Sequence, residues 1–144
     1  LNVHQLHDRM VELFGSDHPD AGMQTRVISF GYKHGLPLDV DIVLDCRFLP
    51  NPHWVEELRP LTGRDEPVSR YVLEQPAAAE LLRHLDGMLD LLLPAYVAEG
   101  KSYLTLAFGC TGGHHRSVAV AEAVADLLRQ KGFTPTVVHR DVER

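Results

Sequence analysis

The sequence predicts an α/β domain in which a mostly parallel sheet is flanked by helices. Three observations carry that reading. Tyr103-Leu104-Thr105-Leu106-Ala107-Phe108 has the content of a short buried strand, Ser117 to Lys131 repeats apolar residues at helical spacing, and Pro135-Thr136-Val137-Val138-His139 reads as a strand again. Strand, loop, helix and strand in that order fit a right-handed βαβ unit. Two more strand candidates lie upstream: Thr25 to Phe30, alternating polar and apolar, and Asp41-Ile42-Val43-Leu44-Asp45. Ala77 to Gly100 adds a long helix with Leu81, Leu85, Met88, Leu92 and Tyr96 on one face.

Asn2 to Phe14 reads as an amphipathic helix, with Val3, Leu6, Met10 and Leu13 on one face, closing at Gly15 before a loop from Ser16 to Gly22. After the Thr25 strand come Gly31-Tyr32-Lys33-His34-Gly35, and after the Asp41 strand Cys46-Arg47-Phe48. From Leu49 to Pro67, Pro50, Pro52, Pro60, Pro67 and Gly63 rule out a long regular element, and a loop of that length inside a compact domain usually has a task. Trp54 is expected to anchor that loop by packing onto the core, with stacking on a ligand as the lesser alternative. Pro94 is expected to kink or end the long helix, with Gly100 as its stop. In the Ser117 helix, Glu122, Asp126 and Arg129 form a single polar stripe, so that helix is expected to be largely buried.

At 144 residues, with 44% hydrophobic and 24% charged residues, the chain has the size and composition of one globular domain. No apolar run is long enough to span a bilayer and no basic segment precedes an apolar signal core, which predicts a cytoplasmic protein without membrane contact. The chain starts at Leu1, as a piece of a longer protein would. Its formal charge of −6 disfavours broad attachment to nucleic acid, although Lys101 to Arg144 holds six cations against four anions. Cys46 and Cys110 make no disulfide framework, and the nine histidines show no metal-ligand spacing.

The chemistry concentrates in Gly109-Cys110-Thr111-Gly112-Gly113-His114-His115-Arg116-Ser117, at the strand-to-helix junction. Glycines there turn backbone N–H groups inward, and the leading end of the helix favours an anion such as phosphate. Arg116 adds a planar cationic fork, Thr111 and Ser117 hydroxyls, and His114 and His115 imidazole donors.

Cys110 to Ser117 also matches C-x5-R-S, which resembles the phosphate loop of cysteine-dependent protein phosphatases. That resemblance implies a Cys110 thiolate nucleophile with Asp45 or Asp65 as the acid. Gly109 stands where those enzymes usually have His, and no Trp-Pro-Asp segment occurs.

A wider resemblance spans Val27 to the end. Ser29 to Gly35, Asp45 to Trp54, Arg59-Pro60-Leu61-Thr62-Gly63 and Gly109 to Ser117 together resemble the C-terminal domain of the RapZ/YvcJ family. The resemblance implies a fold related to sugar-phosphate enzymes of the phosphofructokinase kind. It makes residues 1–144 one RapZ C-terminal-like domain, with the family's N-terminal nucleotide-binding domain absent from this chain. ATP or GTP is accordingly expected only in that missing domain, because no G-x-x-x-x-G-K-[ST] segment occurs here.

What the resemblance implies is a non-catalytic sensor of a small phosphorylated metabolite, such as glucosamine-6-phosphate, that self-associates and acts as an adaptor. In enteric members the partners are small regulatory RNAs and an endoribonuclease. Carried over by motif, Thr111, Gly112, Gly113, His114, His115, Arg116 and Ser117 hold the phosphate, with Lys33, Arg47 and His53 contributing from other loops. Asp45 takes an amino or hydroxyl group of a sugar, and Arg59, Thr62 and Gly63 close the rim. The family usually has Lys where His114 stands, and Asp141 and Glu143 interrupt the basic ending of enteric members, so RNA binding is the part of the expectation these residues weaken.

Overall fold

Four short strands lie side by side, all pointing the same way. The computed structural model describes residues 22–144; the helix expected at Asn2 to Phe14 and most of the loop after it lie outside the described residues. The strands are β1 (Gln24–Gly31), β2 (Ile42–Asp45), β3 (Tyr103–Cys110) and β4 (Thr136–His139), in the order β2-β3-β1-β4. Every neighbouring pair is parallel, with Gly31 beside Cys110, Asp45 beside Gly109 and Ser29 beside His139. β1 and β3 occupy the centre as the longer and more deeply buried strands, whereas β2 and β4 are shorter and only half-buried.

Side chains of successive strand residues point to opposite faces. Val27, Leu104, Leu106 and Phe108 face the main core, while Ile28, Phe30 and Ala107 form a small cluster with Tyr32, Val40 and Val138 on the other face. The helices among the described residues, α1 (Glu66–Leu73), α2 (Pro76–Glu99) and α3 (Arg116–Gln130), all contribute to the main core. α3 lies directly on β1 and β3, and α1 and α2 pack against α3. Its buried residues include Val118, Ala119, Val120, Ala121, Val124, Ala125 and Leu128, whose small side chains let it approach the sheet closely. Of the expected polar stripe, Asp126 and Arg129 pair with each other at 2.7 Å and Glu122 reaches His139 at 2.8 Å.

Two expectations are corrected, and the end of the long helix is located. The Pro67 region is not loop throughout, because α1 begins at Glu66; Pro67 stands in its first turn, where a missing N–H costs nothing. α2 continues through Pro94 and ends at Gly100, whose φ of 84° places it in the left-handed region suited to a helix stop. The buried line of α2 is Ala78, Leu85, Leu89 and Leu93, with Leu81, Met88 and Tyr96 at its margin. That face is rotated from the expected one because α2 packs against both α1 and α3.

The sheet order also places the site. From the adjacent central strands, the chain runs from β1 to β2 on one side and from β3 to β4 on the other. Where neighbouring parallel strands send their connections apart, a crevice opens beyond their carboxyl ends. Here it lies beyond Gly31 and Cys110.

Candidate functional site

Backbone packing fixes the floor of that crevice. A Cβ on Gly31 would lie 2.4 Å from the Gly112 carbonyl carbon, and one on Gly113 only 2.7 Å from the Gly31 nitrogen. Gly113 has φ of 83°, so it needs glycine for conformation as well as space. The Lys33 N–H donates to the Thr111 carbonyl at 3.2 Å, joining the loop after β1 to the loop after β3.

Asp141 holds the same junction from beneath. It is fully buried, and its Oδ2 accepts the Gly31 N–H at 2.8 Å and Arg140 Nη2 at 2.7 Å, while Oδ1 pairs with Arg144 at 3.0 Å. Burial pushes the Asp141 pKa up, but hydrogen bonds from Arg140 and the Gly31 N–H outweigh it and hold the carboxyl below the ordinary value. Sequence reading took Asp141 only as an acid diluting a basic ending; its burial is the correction, and it comes from tertiary packing.

Around this floor lies a cavity of about 450 Å³. Lys33 reaches it from the β1 loop, Asn51, His53 and Trp54 from the segment after β2, and Cys110, Thr111, Gly112, His114, His115 and Arg116 from the β3–α3 junction. The lining therefore holds two permanent cations, three imidazoles and no carboxylate. α3 begins at Arg116, and its N-cap His115 makes no side-chain cap. The first-turn N–H groups of a helix have no partner within the helix, and they carry its positive dipole end.

Individual side chains divide into those facing the cavity and those building its walls. Arg116 is 5% exposed; its Nη1 donates to the carbonyls of Arg47 at 2.8 Å and Leu49 at 3.1 Å, and its Nη2 to Thr111 Oγ1 at 3.5 Å. The guanidinium thus ties the segment after β2 to the cradle. Its buried Nε has no partner. His115 Nε2–H donates to the Arg59 carbonyl at 3.1 Å, so its side-chain proton is directed into the wall. Burial lowers its pKa despite the neighbouring carbonyls, favouring the neutral ring. His114 Nε2–H donates to the Arg144 carbonyl at 2.8 Å.

Ser117 is fully buried, its hydroxyl 3.1 Å from Cys110 Sγ. Gly63 is a packing position: its N–H donates to the His114 carbonyl at 2.8 Å, and a Cβ there would lie 2.4 Å from the His115 carbonyl oxygen. Arg59 Nε clamps the His53 carbonyl at 2.7 Å. The Thr62 N–H donates to Asp65 at 2.8 Å, while its hydroxyl accepts from the Arg64 N–H at 3.2 Å. None of Gly63, Arg59 and Thr62 lines the cavity.

Asp45 and Arg47 also stand outside the lining, paired with each other at 2.6 Å. Arg47 lies over the Tyr32 ring at 4.0 Å, and its hydrogen bond holds the Asp45 pKa below the ordinary value. Both acids considered for the phosphatase reading are therefore engaged, Asp45 by Arg47 and Asp65 by Thr62. Burial pushes the Cys46 thiol up to about 12, so it stays protonated.

Trp54 departs from expectation. It is 76% exposed, because the short 3-10 turn Pro52–Trp54 buries Pro52 instead. Asn51 caps that turn, accepting the His53 N–H at 3.0 Å. Asn51 is a lining residue that sequence reasoning missed, and Trp54 one for which it preferred the core; their place inside the Asp45 to Trp54 motif was the available signal.

The cations from Lys101 onward are already matched. Lys101 pairs with Asp41, Arg129 with Asp126, Lys131 with Asp86 and Asp90, and Arg140 and Arg144 with Asp141, while Arg116 is buried against carbonyls. The positive excess of this third therefore forms no free basic patch among the described residues. Nor does any group of three His, Cys, Asp or Glu side chains there converge as metal ligands. No helix among the described residues is long and apolar enough to cross a membrane.

Over residues 23–143 the sequence matches the family described as the RapZ C-terminal domain. A nucleotide-binding protein of Thermobifida fusca (strain YX) is 58% identical over 144 residues, covering 100% of this chain and 49% of the relative. One from Parafrankia sp. (strain EAN1pec) is 56% identical, with 100% and 50% covered, and one from Streptomyces coelicolor is 52% identical, with 100% and 48% covered. The chain spans about half the length of the curated relatives it matches. With a parallel α/β fold, four motif segments gathered around one crevice and a family match across most of its length, the chain belongs to the RapZ C-terminal domain family.

Proposed function

We propose that this domain is a non-catalytic binding module for a small phosphorylated metabolite, with an amino-sugar phosphate such as glucosamine-6-phosphate as the leading candidate. One observation carries the reading: in a chain of net charge −6, the crevice at the α3 N-terminus is lined by Lys33, Arg116, three imidazoles and no carboxylate. A phosphate dianion is well matched to backbone N–H groups plus one or two cations. In this reading Thr111, Gly112, Gly113 and the first turn of α3 present hydroxyl and N–H donors, Lys33 supplies the mobile charge, and Arg116 contributes a fixed one. Asp45 is committed to Arg47, so an amino group finds its acceptors among backbone carbonyls.

In this reading the nucleotide for which the relatives are named binds in the half of those proteins that this chain does not span. The adaptor role implied by the family resemblance, with RNA and a ribonuclease as partners, receives no support from the surface of residues 101–144, where the cations are paired. The phosphatase alternative has the Cys110–Ser117 contact in its favour, but Asp45 and Asp65 are both engaged and no carboxylate among the described residues lines the cavity.

The test is calorimetric titration with inorganic phosphate, glucosamine-6-phosphate and glucose-6-phosphate, beside a turnover assay with an aryl phosphate. Saturable binding without turnover, weakened about tenfold by Lys33→Ala, is the expected result. No binding of any of the three at millimolar concentration, or turnover abolished by Cys110→Ser, overturns the proposal.

A further inference from the structure

We propose that Cys46 and Cys110 are a redox pair, which a hydroperoxide converts to an internal disulfide across the ends of β2 and β3 and which thiols return to the reduced form. They are the two cysteines of the chain, both free and both buried, and the fold brings them to one place. β2 and β3 are register partners as far as Asp45 and Gly109, and the ladder runs on by one step, because the Cys46 N–H donates to the Gly109 carbonyl at 2.7 Å. Cys46 therefore stands beside Cys110. Side chains of neighbouring strands alternate in step, and Leu44 and its partner Phe108 both pack in the main core, so the two cysteines share that face. Cys46 itself belongs to the main core, and Cys110 Sγ lies 3.1 Å from Ser117 Oγ of α3, the helix that covers the same face. Adjacent strands lie about 4.8 Å apart, inside the span of roughly 4.4–6.8 Å that the Cα atoms of a disulfide take.

The surroundings give each thiol its part. Cys110 lines the cavity, where a small oxidant can reach it, beside Arg116 and the leading end of α3; reactive cysteines are found in such electropositive settings. Cys46 is fully buried and lines no part of that cavity; burial, and after it the neighbouring Cys110, push its thiol up to about 12. Cys110 therefore takes the oxidant and Cys46 resolves it. The Cys110 sulfur attacks the terminal oxygen of the hydroperoxide, the O–O bond breaks, and the other oxygen leaves with the thiol proton as water or alcohol. Cys110 becomes a sulfenic acid as the peroxide is reduced. The Cys46 sulfur then attacks the Cys110 sulfur, forming the S–S bond, and the hydroxyl departs with the Cys46 proton as water. The bond acts on the crevice through the chain next to it. Cys46 directly precedes Arg47, its carbonyl accepts the Leu49 N–H at 3.2 Å, and the carbonyls of Arg47 and Leu49 seat Arg116. Drawing Cys46 onto Cys110 shifts those seats and breaks the Cys110–Ser117 contact.

The test treats the folded chain with hydrogen peroxide, denatures it in an alkylating agent and measures its intact mass. The expected product has lost two hydrogens, takes up no alkyl group, yields the Cys46 and Cys110 peptides joined after proteolysis, and reverts with dithiothreitol. In Cys46→Ala the sulfenic acid at Cys110 should persist and be trapped by dimedone. Alkylation of both cysteines after peroxide, a bond that joins two chains, or over-oxidation of Cys110 with Cys46 still free overturns the pair. One arm rests on the phosphate reading: inorganic phosphate should bind the oxidised protein at least about fivefold more weakly than the reduced protein in calorimetry. Equal affinity overturns the link to the crevice. A reduced protein that binds no phosphate overturns the phosphate reading instead, and the mass measurement still decides the pair.

Discussion

Replacing Asp141 with Asn tests whether the C-terminal carboxylate holds the crevice together. The change keeps the shape of the side chain and removes its charge. In the folded protein that charge accepts the Gly31 N–H and two arginine contacts at zero exposure. A hydrogen bond to a charged group contributes roughly 1.5–3 kcal/mol, and breaking a buried pair costs roughly 3–5 kcal/mol. Arg140 and Arg144 are 27% and 57% exposed, so water takes up much of what they lose, and an Asn oxygen can still accept one N–H. The expected destabilisation is therefore about 2–3 kcal/mol near neutral pH. The pH dependence gives a second handle. Because the folded carboxyl is held below its ordinary value of 3.8, its contribution is present above that value and is lost as pH falls through the folded pKa. Urea unfolding of both proteins should show a gap that is full at about pH 5 and above and narrows as the pH falls further. Asp41 and Asp45, whose pKa values are also lowered, are present in both proteins and cancel in the difference. A gap under about 0.5 kcal/mol at neutral pH, or one that stays constant on acidification, refutes the reasoning.

Gly63→Ala should cost about 3 kcal/mol or more in urea unfolding, because the added Cβ meets the His115 carbonyl and the Ala119 nitrogen at 2.4 and 2.6 Å; a change under 1 kcal/mol would show that the α3 N-terminus yields easily. Arg116→Lys should lose phosphate affinity and also about 1–2 kcal/mol of stability, since one ammonium cannot span the carbonyls of Arg47 and Leu49 while reaching Thr111. Retained stability with lost affinity would make Arg116 purely a ligand residue. Cys110→Ser should leave phosphate binding within about threefold of the parent by calorimetry, because the thiol meets Ser117 and no acid stands ready for covalent chemistry.

The fold was legible where one period dominated. The alternation of β1, the apolar run of β3 and the helical repeat of α3 are each clear, and their bounds agree with the sequence reading to within a few residues. α1 was hidden because Pro67 reads equally as a breaker and as a helix starter, and only the packing of Val68 and Val72 into the core distinguishes the two. The same limit shaped the reading of the crevice. Residue types showed that Thr111 to Ser117 suited an anion, and Lys33 and His53 do face the same cavity. What residue types do not show is which way a polar side chain turns. Arg59, Thr62 and Gly63 belong to a motif yet build the wall, and Ser117 meets Cys110 beneath the surface.

Trp54 and Asp141 were misread for a shared reason. Sequence logic assigns a tryptophan to the core and an acid near a chain end to solvent, since burial normally follows polarity. Here Pro52 takes the core position that the turn has to offer, and the Gly31 N–H, drawn inward by the tight contact with Gly113, needs an acceptor that only a buried carboxylate supplies. Both departures have a consequence at the crevice. The buried acid is neutralised by Arg140 and Arg144 and so adds little negative field to the cavity above it. The exposed indole leaves an apolar face beside the cations. An acidic chain can thus keep one crevice free of acid: among the described residues no carboxylate lines the cavity, and the lining holds hydroxyl, amide and imidazole groups, two cations, a thiol and one exposed ring.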